Sequence, residues 1–328
     1  MTGRRGALAL LAAGLLLAGC GGTVVAPAGP AVTANSEARI FVEPDDGPEP
    51  LLKELQAATA SIDVEVYLLT DASIRSTLEQ AERRGVRVRV LLEQHPFGET
   101  VNNDASYAAL QRAGVAARWT NPRFKLTHEK AAVVDGREAL ILTFNLSVSA
   151  FTRNREYGVV VRDPGAVAEV QAIFNADWDR SAYSPTRPDL VVSPDNSRAR
   201  LMALIAQAGQ TLDLESEEIQ DQRLEDALVE AHQRGVQVRT VISPAESGSD
   251  PNQKGVQRLT AGGVQVHELR KPYIHAKIVI ADRQTAFAGS ENISGQSLDA
   301  NRELGLFLSE PASVSRMRAT FEADWNSH

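Results

Sequence analysis

Residues 273–292 read YIHAKIVIADRQTAFAGSEN, and the understanding of the whole chain turns on that stretch. His275 and Lys277 stand two apart at the head of an apolar run, so a strand, with its side-chain period of two, aims both at one face. Asp282 breaks the run, Thr285 to Ala288 resumes it, and Gly289, Ser290 and Asn292 follow, the last two again two apart. Paired as a hairpin, these segments bring an imidazole, an ammonium, a hydroxyl and a carboxamide to one patch. Such a set is suited to gripping a phosphoryl group.

The pattern recurs in residues 126–145, LTHEKAAVVDGREALILTFN. His128, Lys130, Asp135, Thr143 and Asn145 correspond to His275, Lys277, Asp282, Ser290 and Asn292, at one offset of 147 (275 minus 128). At the same offset Asn154, Arg155 and Glu156 recur as Asn301, Arg302 and Glu303, and Ala176-Asp177-Trp178 recurs as Ala323-Asp324-Trp325. The chain is an internal duplication.

The spacing from His275 to Asn292, H-x-K-x4-D-x6-G-S-x-N, resembles the HKD signature of the phospholipase D superfamily. The second copy fits throughout; the first carries Leu142 in place of the glycine and Thr143 in place of the serine. The resemblance runs from about Arg39 to the C-terminus. It implies two pseudo-symmetric α/β lobes, residues 39–187 with the first motif and 188–328 with the second, each a mixed sheet flanked by helices, with the active site at their interface.

The chemistry implied needs no metal and no cofactor. One neutral imidazole attacks phosphorus and forms a covalent phosphohistidine; the other, protonated, supplies a proton to the departing alkoxide and then takes one from water or an acceptor alcohol. His128 is the expected nucleophile and His275 the expected acid and base, although the pseudo-symmetry of the pattern does not separate them. Lys130 and Lys277 would neutralise phosphoryl oxygens, with Asn145, Asn292, Thr143 and Ser290 donating to the phosphate. By the same resemblance Glu156 and Glu303 each accept from the far nitrogen of a histidine, fixing its tautomer. Asp135 and Asp282 fall at hairpin turns and are assigned, with Gly289, to structure.

The beginning of the chain is set apart from the fold. Arg4 and Arg5 precede an apolar run, Gly6 to Leu17, too short for a comfortable span, and Leu17-Ala18-Gly19-Cys20 follows. This resembles a bacterial lipobox, implying removal of residues 1–19, lipidation of Cys20 and anchoring in the cell envelope. Residues 20–38 read as a lipidated flexible tether, Gly21 to Ser36 being small, polar and rich in proline and glycine. Cys20 is the only cysteine, so no disulfide forms within one chain. Loss of Arg4 and Arg5 leaves 32 basic residues against 42 acidic, a net charge of −10. Neither that balance nor 5% aromatic residues suits a protein that tracks a nucleic-acid backbone.

Helices alternate with short strands in both halves. A helix is predicted over 50–60, a strand over 62–69, a helix over 74–84, a strand over 86–92 and a helix over 105–113; 197–208, 212–215, 224–234, 236–242 and 252–260 repeat the order. That alternation implies helices on the faces of an α/β sheet, with a seam over 185–194. Arg87 and Arg89 read as a solvated strand face, His95, His232, His267 and His328 as surface residues, and Trp178 and Trp325 as packing anchors. Asp63, Glu65, Asp213 and Glu215 could line the edge of the site. Selectivity should reside in loops 93–104, 118–125, 243–252 and 270–273, where Phe97, Trp119, Phe124 or Tyr273 could form an apolar approach. The expected substrate is a phospholipid at a membrane surface, cleaved or transferred by one chain acting as a monomer. An exported nuclease and a non-catalytic lipoprotein that only binds phosphate or a partner are the alternatives.

Overall fold

A computed structural model describes residues 1–2, 32–97 and 101–327. The first half runs β1 (Arg39–Glu43), α1 (Glu49–Ala57), β2 (Ser61–Val66), α2 (Ala72–Arg83), β3 (Arg87–Leu92), α3 (Asp104–Arg112), β4 (Ala116–Trp119), β5 (Lys130–Val134), β6 (Glu138–Leu142), α4 (Val148–Thr152), β7 (Asn154–Val161) and α5 (Pro164–Trp178). The second runs β8 (Leu190–Ser193), α6 (Ser197–Gln207), β9 (Thr211–Ser216), α7 (Gln222–Gln233), β10 (Gln237–Ile242), α8 (Gln253–Ala261), β11 (Gln265–Glu268), β12 (Tyr273–Ile274), β13 (Lys277–Ala281), β14 (Thr285–Gly289), α9 (Gly295–Asp299), β15 (Glu303–Leu308) and α10 (Pro311–Trp325).

Each half builds one mixed sheet, in the order β1-β7-β6-β5-β2-β3-β4 and, equivalently, β8-β15-β14-β13-β9-β10-β11. Only β2-β3-β4 and β9-β10-β11 pair in parallel along these orders; the remaining neighbours are antiparallel. The two-lobed α/β architecture implied by the resemblance is the one observed. The strand β8 falls inside the proline-rich segment 185–194, so the seam read from composition is partly a sheet edge.

Apolar alternation sets the layers. On β13, Ile278 and Ile280 face the core shared by the lobes, while Val279 and Ala281 face the core beneath α6, α7 and α8. The shared core also takes Val133, Ile141 and Val159 from the first sheet and Val170 and Met317 from α5 and α10. With both faces covered, central strands such as KIVIA carry almost continuous apolar residues. Helices α2 and α7 start where Asp71 and Asp221 accept hydrogen bonds from the first-turn amides, Ile74 N and Leu224 N among them.

Two further contacts tie the lobes where the site lies. The short strand β12 adds in parallel to β7 of the other half, Tyr273 opposite Asn154 and Ile274 opposite Arg155. Its mirror is the bridge between Thr127 and Arg302. Beside these pairings the repeated Asn-Arg-Glu and Ala-Asp-Trp triplets meet across the halves: Arg155 Nε lies 2.6 Å from Asp324 Oδ2, and Arg302 Nε lies 2.7 Å from Asp177 Oδ2, all four side chains buried.

The turns before β6 and β14 place Asp135 and Gly136, or Asp282 and Arg283, at positive φ. Asp135 accepts from the amides of Thr59, Ala60 and Ser61, and Asp282 from those of Gly209, Gln210 and Thr211, holding the loops that enter β2 and β9. Burial alone would raise the Asp135 carboxyl, but these backbone donors bring it down to about 2. The stabilisation is therefore present above the ordinary aspartate range and is lost as pH falls through about 2. We expect Asp135→Asn to cost about 1–2 kcal/mol near neutral pH and to flatten the acid limb of the denaturation profile; equal acid limbs for both proteins would count against this role.

Residues 3–31, which hold most of the expected signal segment, Cys20 and the start of the expected tether, lie outside the described residues. Residues 32–35, expected to belong to a flexible tether, instead pack against the second lobe. Val32 N donates to Gln207, Asn35 pairs with Leu308 and reaches Asp189, and Val32 and Ala34 pack on the outer core. Among the described residues no helix is long and apolar enough to cross a membrane.

Candidate active site

Both histidines stand at the loop-to-strand entry of the hairpins β5-β6 and β13-β14, and each is supported by the opposite half. Glu303 Oε2 lies 2.9 Å from His128 Nδ1, and Glu156 Oε1 lies 2.6 Å from His275 Nδ1. The backbone follows suit, His128 N donating to Arg302 O and His275 N to Arg155 O. The crossing of the supports could not be read from the sequence, because a constant offset relates the halves without saying which group of one meets which group of the other.

The glutamates are themselves held. Ser297 Oγ and Asn301 Nδ2 donate to Glu303 Oε1 at 2.7 and 3.1 Å, and Thr143 Oγ1 donates to Glu156 Oε2 at 2.6 Å. Thr143 Oγ1 also accepts from Tyr157 N, and Ser290 Oγ from Leu304 N; both hydroxyls are fully buried. This differs from the expected phosphate contact: the hydroxyls sit behind the glutamates and are occupied there. The strands β6 and β14 end at residues 142 and 289, so the alternation used to aim positions 290 and 292 at one face had already lapsed.

Leu142 leaves this arrangement intact. In the second half a Cβ on Gly289 would lie 2.5 Å from Gly305 Cα and 2.4 Å from Glu291 Oε2, so glycine is needed. In the first half the counterpart of Glu291 is Phe144, and Leu142 packs with it in the outer core.

Lys130 and Lys277 are buried, each donating at 2.5 Å to the carbonyl of the histidine two residues before it. Lys277 also lies 3.4 Å from Thr143 O of the other half, so the two motifs face one space. Among the described residues the side-chain oxygens of Asn145 and Asn292 have no hydrogen-bond partner. A cleft of about 490 Å³ opens here, lined by His275, Glu156, Asn145, Asn154, Glu217 and Tyr273 among others.

Electrostatics separate the two imidazoles. Burial pulls His128 below its ordinary value despite Glu303. Burial acts the same way on His275, but Glu156 and Glu217 overcome it and carry the ring up to about 9. The difference traces to Glu217, whose carboxylate lies 3.2 Å from His275 Nε2 and 2.6 Å from Lys277 Nζ. Its counterpart in the first half is Tyr67, packed edge-on to His128 at 4.7 Å between ring centres. The duplication concealed Glu217, because the repeat breaks at that position. Burial pushes the Lys130 ammonium down to about 7.

Several expected edge residues lie elsewhere. Asp63 and Asp213 are buried partners of Arg89 and Arg239 at 2.7 and 2.8 Å, so Arg89 is not solvated, whereas Arg87 is half exposed. Arg89 also lies over Phe174 and Trp178, and Arg239 over Phe321 and Trp325, which makes each tryptophan part of a cationic stack. Glu65, Glu129 and Asp177 form the tightest acidic grouping among the described residues. Burial pushes all three up, and the Arg302 guanidinium beside Asp177 already supplies their cation. His95 is exposed, His232 and His267 are half-buried, and His328 is outside the described residues. The four aromatic candidates do not cluster. Tyr273 lines the cleft, Phe97 is exposed, Trp119 stacks on Tyr107, and Phe124 is buried under Arg302.

The family model described as "Cardiolipin synthase, PLD-like domain" matches residues 51–178 and 201–325. A cardiolipin synthase of Oceanobacillus iheyensis is 24% identical over 89% of this chain and 69% of its own length. Cardiolipin synthase A of Pseudomonas aeruginosa is 25% identical over 89% and 67%. Among solved structures, a phosphatidylserine synthase of Haemophilus influenzae superposes with a TM-score of 0.69 at 13% identity, covering 90% of this chain and 88% of its own. A polyphosphate kinase of Porphyromonas gingivalis does so with 0.68 at 17% identity, and there this chain spans only 50% of the other. With the model matching both halves, and two facing histidine-lysine motifs in a two-lobed α/β fold, the chain belongs to the PLD-like domain family that this model describes, within the phospholipase D superfamily.

Proposed function

We propose that the protein is a phosphatidyltransferase or phosphodiesterase of phospholipase D type, acting on phospholipid head groups at a membrane surface through a covalent phosphohistidine and without a metal. His128 Nε2 attacks phosphorus, the bond to the head-group oxygen breaks, and the proton on His275 Nε2 goes to that oxygen. In the second step His275 takes a proton from an acceptor alcohol or water, whose oxygen attacks phosphorus and releases His128. The lysines and asparagines hold the non-bridging oxygens as charge builds. The low-set His128 supplies a neutral nucleophile and the high-set His275 a charged acid at the same pH.

The observation that carries the lipid reading is where apolar side chains are left in water. Among the described residues the exposed large hydrophobics other than Met1 are Phe97 (91%), Val101 (51%) and Val148 (59%). Val101 and Val148 line the cleft itself. Phe97 lies toward the first motif instead: its amide donates to the hydroxyl of Tyr67, whose ring packs on His128. An apolar rim around a charged site suits a phosphate at the edge of an acyl layer better than a nucleic-acid backbone. The relatives named as cardiolipin synthases support the same substrate class and attachment to a bacterial membrane. Anchoring through Cys20 belongs to this proposal.

The test is release or exchange of head groups from phospholipid vesicles in EDTA, set beside nicking of DNA under the same conditions. Phe97→Asp with Val148→Asp should lower vesicle turnover about 10-fold or more while leaving a short-chain soluble phosphodiester within about twofold. DNA cleavage without lipid turnover would move the function to the nuclease class.

A further inference from the structure

Glu217 occupies the place where the second motif should meet its substrate. Its carboxylate touches His275 Nε2 at 3.2 Å and Lys277 Nζ at 2.6 Å, and accepts from Asn292 Nδ2 at 3.3 Å. These are the three groups that this motif offers to an anion. A carboxylate with two oxygens spread over an imidazole, an ammonium and a carboxamide copies part of a phosphoryl group. In the first half Tyr67 stands at this position, and among the described residues the carboxylate paired with His128 is Glu303, on Nδ1.

We propose that Glu217 is a built-in competitor for the phosphoryl group, filling the second motif's half of the anion site in the resting protein and leaving only when a substrate displaces it. The inference rests on the phosphoryl-transfer reading of the same site. Displacement is required because a proton shared between His275 Nε2 and Glu217 is not available to a leaving oxygen. There is room for it: the Glu217 side chain is 24% exposed and borders the cleft of about 490 Å³. An anion that engages only part of the site must pay for opening this contact, so its apparent affinity falls by the fraction of protein that is open. A phospholipid, held also through its acyl chains at the apolar rim, has more binding energy to set against that cost than free inorganic phosphate does. The contact thereby favours lipid phosphodiesters over small anions.

The test is calorimetric titration with inorganic phosphate at pH 6, where His275 is charged, of the wild type, Glu217→Ala and Glu217→Gln. Alanine should bind phosphate about 10-fold tighter or better, and glutamine, which fills the space without the charge, should fall between. A support that merely orders the site would show the reverse, weaker phosphate binding with a lower Tm. Unchanged or weaker binding in both folded variants overturns the proposal, and the glutamine variant decides the matter if alanine does not fold. Since the readout needs no turnover, inactivity of the wild type on lipid would sink the functional reading while tighter phosphate binding in the variants would still establish the competition.

Discussion

Alanine at position 128 is expected to lower phospholipid turnover by about 10⁴-fold or more and to abolish any covalent adduct, because the nitrogen proposed to bond phosphorus is gone. Alanine at 275 should behave differently. Without the acid, loss is about 10²–10⁴-fold with a natural head group but much less with a leaving group that needs no proton, and the adduct on His128 should then accumulate, since no base activates the acceptor. Brief exposure to labelled substrate followed by acid-free electrophoresis reads both outcomes. Label retained by His128→Ala and lost in His275→Ala would exchange the roles. The pH profile carries the same assignment. The rate constant kcat/KM should rise with pH as His128 loses its proton, below the ordinary histidine value of 6.5, and fall in two stages as Lys130, at about 7, and His275, at about 9, lose theirs. A profile still rising above pH 9 would remove His275 as the acid.

The second large effect concerns stability. Breaking the buried pair Arg155–Asp324 or Arg302–Asp177 leaves an uncompensated charge between the lobes, at a cost of about 3–5 kcal/mol, a large fraction of what holds a domain folded. Arg155→Met should lower Tm by several degrees and Arg155→Met with Asp324→Leu should recover much of the loss, because the double change removes both charges. Additive losses in the double variant would show that the pair is not the source. The second carboxylate in ion-pair contact with each arginine, exposed Asp45 or partly exposed Asp195, is too solvated to compensate.

The sequence disclosed a great deal where a repeat and a strand period coincide. The repeat picked out His128 with Lys130 and His275 with Lys277 as pairs at the loop-to-strand entries of β5 and β13, and the helix-strand order followed from apolar spacing in both halves. Legibility stopped at contacts between elements. Arg87 and Arg89 do share a strand face, but that α5 would cover one of them with Phe174 and Asn175 is a matter of packing. Thr143 and Ser290 were aimed by alternation that their strands do not reach. Glu217 was invisible for a different reason, since repetition marks what the halves share and is silent at the position where they differ.

The crossed glutamates have a consequence for how such a chain can change. His128 depends on Glu303 and His275 on Glu156, so a single substitution in either half disturbs the chemistry attributed to the other, and neither half inherits a working histidine by itself. Divergence after duplication is thus free only where contacts stay within one lobe, as at Leu142, and the two copies are bound to evolve as one unit.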